Sequence, residues 1–192
     1  MKITLANVIG RAALAGLLVL LATPEAYAKI DGLSGTSFNL TAKADLIQTP
    51  DGGSVLFWGF APNDGTAQYP GPTFIVNQGD TVTINLSNRL PIPVSIVFPG
   101  PTGVTATGGS AGLLTREVPA DNGATTVTYT FTAVNAGTYT YYSGTRSDLE
   151  IDMGLVGAIV VRPYGFNPAA PRAYYHATTA YDREALFLLT EM

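Results

Sequence analysis

The chain has 192 residues, a net charge of −4 at neutral pH, a single histidine and no cysteine. A weakly acidic chain without a basic run excludes a nucleic-acid-binding stripe and electrostatic attachment to an anionic lipid surface. The missing cysteine excludes disulfides, thiolate catalysis and thiolate-ligated metals such as a blue-copper centre, and one histidine excludes a multi-histidine metal site within one chain.

The chain opens as an export signal. Lys2 and Arg11 are the only charges before Glu25, an apolar run follows from Ala12 to Ala22, and Ala26-Tyr27-Ala28 matches the small-x-small cleavage rule. The uninterrupted apolar run is shorter than the ~20 residues a membrane span needs. Residues 1–28 therefore read as a signal peptide, the alternative being an uncleaved anchor. Cleavage after Ala28 leaves one domain's worth of chain, periplasmic or extracellular, with no membrane segment.

Short alternating runs punctuated by glycine and proline then predict an all-β sandwich or barrel. Ser37–Leu46 and Ser54–Phe60 are the weaker strand candidates, and Pro72–Val76 reads as a partner to the strand that follows it. Asn77-Gln78-Gly79-Asp80 is a tight turn. In Thr81–Asn88, Val82, Ile84 and Leu86 take one face and polar residues the other, which is the period of a half-buried strand. Thr125–Ala133 repeats the pattern with Val127, Tyr129 and Phe131 inward. Asn135–Gly144 is a turn and a strand, with Tyr139 and Tyr141 in the core and Tyr142 outward. Leu155–Pro163 is a continuous apolar run, the mark of a strand buried on both faces.

One short helix is expected between the last two strands. Ser147 and Glu150 have the spacing of a capping box, in which each side chain satisfies the other's free backbone donor. From Tyr164 the periodicity is lost and two prolines appear, giving an extended linker on a surface. Ala185–Thr190 is a fresh apolar strand whose open edge could pair with another domain or with a second copy of the chain.

Three runs together resemble one family. Tyr69–Leu90, Gly137–Pro163 and Tyr181–Met192 are similar to the N-terminal plastocyanin-like domain of multicopper oxidases, a likeness covering roughly residues 36–192. The resemblance implies a cupredoxin-like Greek-key β-sandwich over residues 36–164. Residues 165–192 then form a linker and a strand like the start of a second cupredoxin domain. It also implies copper, because this domain of the family supplies two His-x-His pairs to a three-copper cluster. Alternate residues of a strand share a face, so two such pairs on adjacent strands can converge on metal.

The matching positions here are Val97 and Pro99 in Ser95–Gly100, and Tyr142 and Gly144 in Tyr141–Gly144. None is a histidine, and only Tyr142 carries a polar side-chain atom. Phe98 stands where the family has tryptophan. The resemblance therefore implies a degenerate site: no metal, cofactor or catalytic residue is expected in this chain, although the family uses copper.

Other candidates are weaker. His176 with Asp182 or Glu184 could bind a metal, but a lone loop histidine reads as exposed. Met153 could be a thioether ligand but reads as core. Asp148, Glu150 and Asp152 could hold a hard cation, yet read as a solvated helix face. The expectation is a structural or interaction module. The alternatives are a truncated N-terminal domain of a longer copper-dependent oxidoreductase and, last, a copper carrier using Met153, His176 and carboxylates.

Overall fold

The computed structural model describes residues 29–190; the expected signal segment 1–28 and its cleavage site lie outside the described residues. Eleven strands are present among them: β1 (Leu33–Ser34), β2 (Ser37–Gln48), β3 (Ser54–Pro62), β4 (Phe74–Asn77), β5 (Thr81–Asn88), β6 (Thr105–Gly108), β7 (Ser110–Ala111), β8 (Arg116–Glu117), β9 (Val127–Thr132), β10 (Gly137–Tyr142) and β11 (Val156–Arg162). One sheet runs β1-β4-β11-β10, a second runs β3-β2-β5-β9-β6, and β7-β8 is a small ribbon. This is the anticipated all-β sandwich.

The inward rows are those the alternation predicts. Val82, Ile84 and Leu86 are fully buried, and they meet Val127, Tyr129 and Phe131 across the β5–β9 ladder. Each such side chain contributes about 1.5–3 kcal/mol of burial. Aromatic rings fill the centre: Phe74 stacks on Tyr141 at 4.9 Å, and Phe98 lies 5.1 Å from Phe131 and 5.8 Å from Tyr129. The buried hydroxyls have partners. Tyr141 donates to the Pro72 carbonyl at 2.6 Å, and Tyr129 donates to the Arg116 carbonyl at 2.7 Å while accepting from the Ile96 N–H.

The structure corrects the pairing expected for Pro72–Val76. β4 pairs in parallel with β11 and β1, in the sheet opposite β5. The intervening turn is the reason. The Asp80 carboxylate accepts the Asn77 N–H at 2.7 Å and Gly79 adopts a left-handed φ of +93°, so the chain crosses between sheets instead of folding back in one.

The capping box is also overturned. Helix α1 (Ser147–Glu150) is a single turn whose N-cap position is Arg146, with no side-chain cap bond. Ser147 Oγ donates to the Ser143 carbonyl at 3.1 Å, and the Glu150 carboxylate turns inward. Tyr141 is buried as expected; Tyr139 and Tyr142 are both half-buried, so Tyr142 is less open than the alternation suggests.

β11 is buried along its whole length. Its inner row, including Ile159 and Val161, joins the core. In its outer row, Ala158 and Val160 lie beside the terminal segment, which turns back over this sheet, and the Val156 carbonyl accepts from the Gly71 N–H. Burial alternates along residues 184–190, with Leu186 and Leu188 partly covered and Phe187 and Leu189 open. The segment joins no ladder among the described residues. A cavity of about 660 Å³ remains between it and Leu33, Pro72 and Ala158.

Candidate functional site

Residues Ser95–Gly100 lie at one corner of the sandwich, outside any long strand. Phe98 anchors the corner in the aromatic core, while Val97 points the other way, as neighbours in extended chain must. Val97 and Tyr142 form an isolated antiparallel bridge: the Val97 N–H donates to the Tyr142 carbonyl at 2.9 Å, and the Tyr142 N–H donates back at 3.3 Å. Gly144 closes on the same spot. A Cβ there would lie 2.6 Å from Val97 Cγ1, 3.1 Å from Ser95 Oγ and 3.7 Å from Leu114 Cβ. The structure thus brings together Val97, Tyr142 and Gly144. Pro99 is exposed at the rim.

This geometry makes Gly144 a packing residue. Gly144→Ala should destabilise the fold by about 1–3 kcal/mol through overpacking, and Val97→Ala in the same chain should recover most of the loss. Denaturant melts of the two single variants and the double variant check this. An additive double variant would show that the two side chains do not compete for one space.

The corner offers copper little. Val97, Pro99 and Gly144 have no donor atom, and Tyr142 contributes one phenol oxygen where copper favours imidazole or thiolate. The neighbouring hydroxyls are engaged with each other, Ser95 Oγ lying 2.8 Å from Thr145 Oγ1. The residues present at this corner do not fit the metal.

Beneath it runs a buried polar network. Thr145 Oγ1 donates to Glu117 Oε1 at 2.9 Å, and the single Ser143 hydroxyl proton lies within reach of both Glu150 Oε2 and the Thr145 carbonyl, the latter at 3.1 Å. Glu150 is 0% exposed, and its Oε1 has no hydrogen-bond partner among the described residues. Burial pushes its carboxyl up to about 7; the Ser143 hydrogen bond opposes the shift and the nearby Glu117 charge adds to it. Asp148 and Asp152 are exposed, so the expected solvated acidic face holds for these two and fails for Glu150, which the single-turn helix rotates into the interior.

The remaining candidates are scattered. His176 is exposed, with Nδ1 2.8 Å from Thr178 Oγ1, and serves as the cap of a one-turn 3₁₀ helix at Ala177–Thr179. Glu184 is taken by Arg162, and Asp182 is exposed. Met153 is half-buried, and its carbonyl accepts from the Trp58 N–H at 2.8 Å. Among the described residues no group of three or more His, Asp or Glu is placed to share a metal ion.

A family profile described as multicopper oxidase matches residues 63–165, more than half of the chain and the whole of this corner. The chain belongs to the multicopper oxidase family. Multicopper oxidase MCE of Talaromyces pinophilus is 39% identical over 98 residues, covering 50% of this chain and 15% of that protein. Copper resistance protein A of Escherichia coli is 29% identical over 156 residues, covering 81% of this chain and 21% of that protein. Among solved structures, the multi-copper oxidase of Pseudomonas thermotolerans superposes with a TM-score of 0.54 over 71% of this chain and 32% of its own, at 24% identity. That likeness shows the fold, cupredoxin-like, as the resemblance implied. This multicopper oxidase-family chain spans 15% and 21% of the length of these two curated relatives.

One buried ion-pair cluster of this family member was missed by sequence reasoning. Arg162 meets Glu184 through two hydrogen bonds of 2.5 Å, Tyr181 OH donates to Glu184 Oε2 at 2.8 Å, and the Ile30 N–H donates to Glu184 Oε1 at 3.2 Å. This clasp ties both ends of the described chain to β11. The signal available was a lone arginine ending the apolar run Leu155–Val161, a charge that needs a partner.

Proposed function

We propose that this chain is an exported multicopper oxidase-like domain that holds no copper of its own and serves as a structural or interaction module. One observation carries the reading. The positions where the family resemblance expects two histidine pairs are occupied by Val97, Pro99, Tyr142 and Gly144, and Val97 fills the space a side chain at Gly144 would need. The basic start, apolar run and Ala26–Ala28 site support export. The test is copper content. Protein expressed from the full sequence is loaded with Cu(II), then with Cu(I) under reducing conditions, desalted, and assayed for metal per chain. The expected result is near zero. One tightly held copper per chain overturns the reading, and Tyr142, Met153 and His176 become the first residues to replace.

A second reading is favoured by the chain's small share of its curated relatives, 15% and 21%. On it, the chain is the N-terminal domain of a longer copper-dependent oxidoreductase that oxidises a substrate with O₂, its copper held by other domains. The exposed Phe187 and Leu189 would then face the next domain. Sequencing the reading frame beyond Met192 separates the two: a continuing cupredoxin-like sequence supports the second reading, and a stop codon supports the first.

A further inference from the structure

β3 is an edge strand of the five-stranded sheet, and part of its edge is open. Along a strand the N–H and C=O groups of alternate residues point to the same side. The Trp58 N–H points away from β2 to the Met153 carbonyl, and the Phe60 carbonyl points the same way, accepting from the Gln68 N–H at 3.3 Å. The groups of Leu56 and Ser54 therefore also point away from β2. No partner for them is present among the described residues. Beside them lie three exposed apolar side chains. Leu46 and Leu56, 52% and 55% exposed, sit opposite each other on the face that continues the core, and Val55 lies on the other face. From Trp58 on the edge is covered by other segments, but no charged residue, proline or bulge protects the open stretch Ser54–Leu56, although edge strands are usually blunted by such devices.

We infer that this edge pairs with the same edge of a second copy. The open stretch is self-complementary. A two-fold axis through Val55 sets Leu56 of each copy opposite Ser54 of the other, an antiparallel register in which four outward backbone groups per chain find partners. Both copies then present Leu46 and Leu56 to one shared apolar face. Because Ser54–Ala61 carries no charge, no like-charge repulsion opposes a strand meeting itself. A longer incoming strand of a different protein would collide with the segment held at Trp58 and Phe60, whereas the two-fold limits pairing to the open residues. Three apolar side chains a side fall well short of the ~800 Å² per partner of a standard stable interface, so the dimer is a weak and reversible one.

This deepens the interaction-module reading by naming a partner and a surface. The copper assay tests the corner and self-association tests the edge, so either can fail alone. The experiment is sedimentation velocity on protein expressed from the full sequence, from about 10 µM to about 1 mM, concentrations that bracket a weak association of roughly 4–7 kcal/mol. The expected result is a monomer at the low end and a dimer at the high end, with Leu56→Lys monomeric throughout and its thermal melt unchanged. Phe187→Ser, on the terminal segment, should dimerise like the parent. Amide exchange should slow at Ser54 and Leu56 as concentration rises. A parent that stays monomeric at 1 mM, a Leu56→Lys variant that still dimerises, or a dimer abolished by Phe187→Ser overturns the inference.

Discussion

Replacing Arg162 with methionine should cost about 3 kcal/mol, the lower end of what breaking a buried ion pair costs, and lower the melting temperature by roughly 6–12 °C for a domain of this size. Arg162 and Glu184 have side chains only 8% and 15% exposed, so removing the guanidinium leaves a carboxylate with little water to replace it. Apolar replacement of both partners, Arg162→Met with Glu184→Leu, should recover at least half of the loss, because no buried charge is then left alone. The single variant should also release the terminal segment. Limited proteolysis between Tyr164 and Glu184 should speed up well before global unfolding, since the cavity beneath residues 186–189 shows that packing alone seats this segment loosely. Unchanged proteolysis in Arg162→Met would mean that the clasp does not hold the segment.

The second large effect is a fall in stability as pH rises through neutrality. The Glu150 carboxyl is pushed from its ordinary 4.5 up to about 7 by burial. Between those values the folded chain keeps a proton that the unfolded chain has lost, so raising the pH favours unfolding. The penalty is complete above about 7 and amounts to about 3 kcal/mol. Glu184 acts in the opposite sense. Arg162, the main cause, holds its carboxyl down at about 2, so its stabilisation is full above 4.5 and is lost as the pH falls toward 2. Chemical denaturation across pH 3–9 should therefore give maximum stability near pH 4.5. Glu150→Gln should remove the alkaline decline while keeping the acidic one. If the parent and Glu150→Gln run parallel from pH 5 to 8, Glu150 is not the group responsible.

Much of this was legible in the chain because period-two patterns are explicit wherever one face is buried. Val82, Ile84 and Leu86, or Val127, Tyr129 and Phe131, can only be read one way. The unbroken apolar run at Leu155–Val161 correctly signals a strand covered on both sides. What failed was non-local. Whether β4 pairs with β5 or crosses to the other sheet depends on how Asp80 closes its turn, which spacing does not show. The capping box failed because Ser143, seven residues upstream, competes for the same carboxylate. The corner is an intermediate case. Its four residues could be picked out by resemblance, but that Val97 and Gly144 share one space follows only from the bridge to Tyr142.

The turn-back of the terminal segment bears on how such a domain can exist in water at all. Without residues 165–190, the outer row of β11 would be a bare strip of valine and alanine ending in a lone arginine, the kind of surface that drives precipitation. The stretch that composition marks as mere linker thus exchanges one apolar surface for another, lying over Ala158 and Val160 while leaving Phe187 and Leu189 open; dissection at Pro163 should expose the β11 strip and raise self-association, read by light scattering, relative to dissection after Thr190.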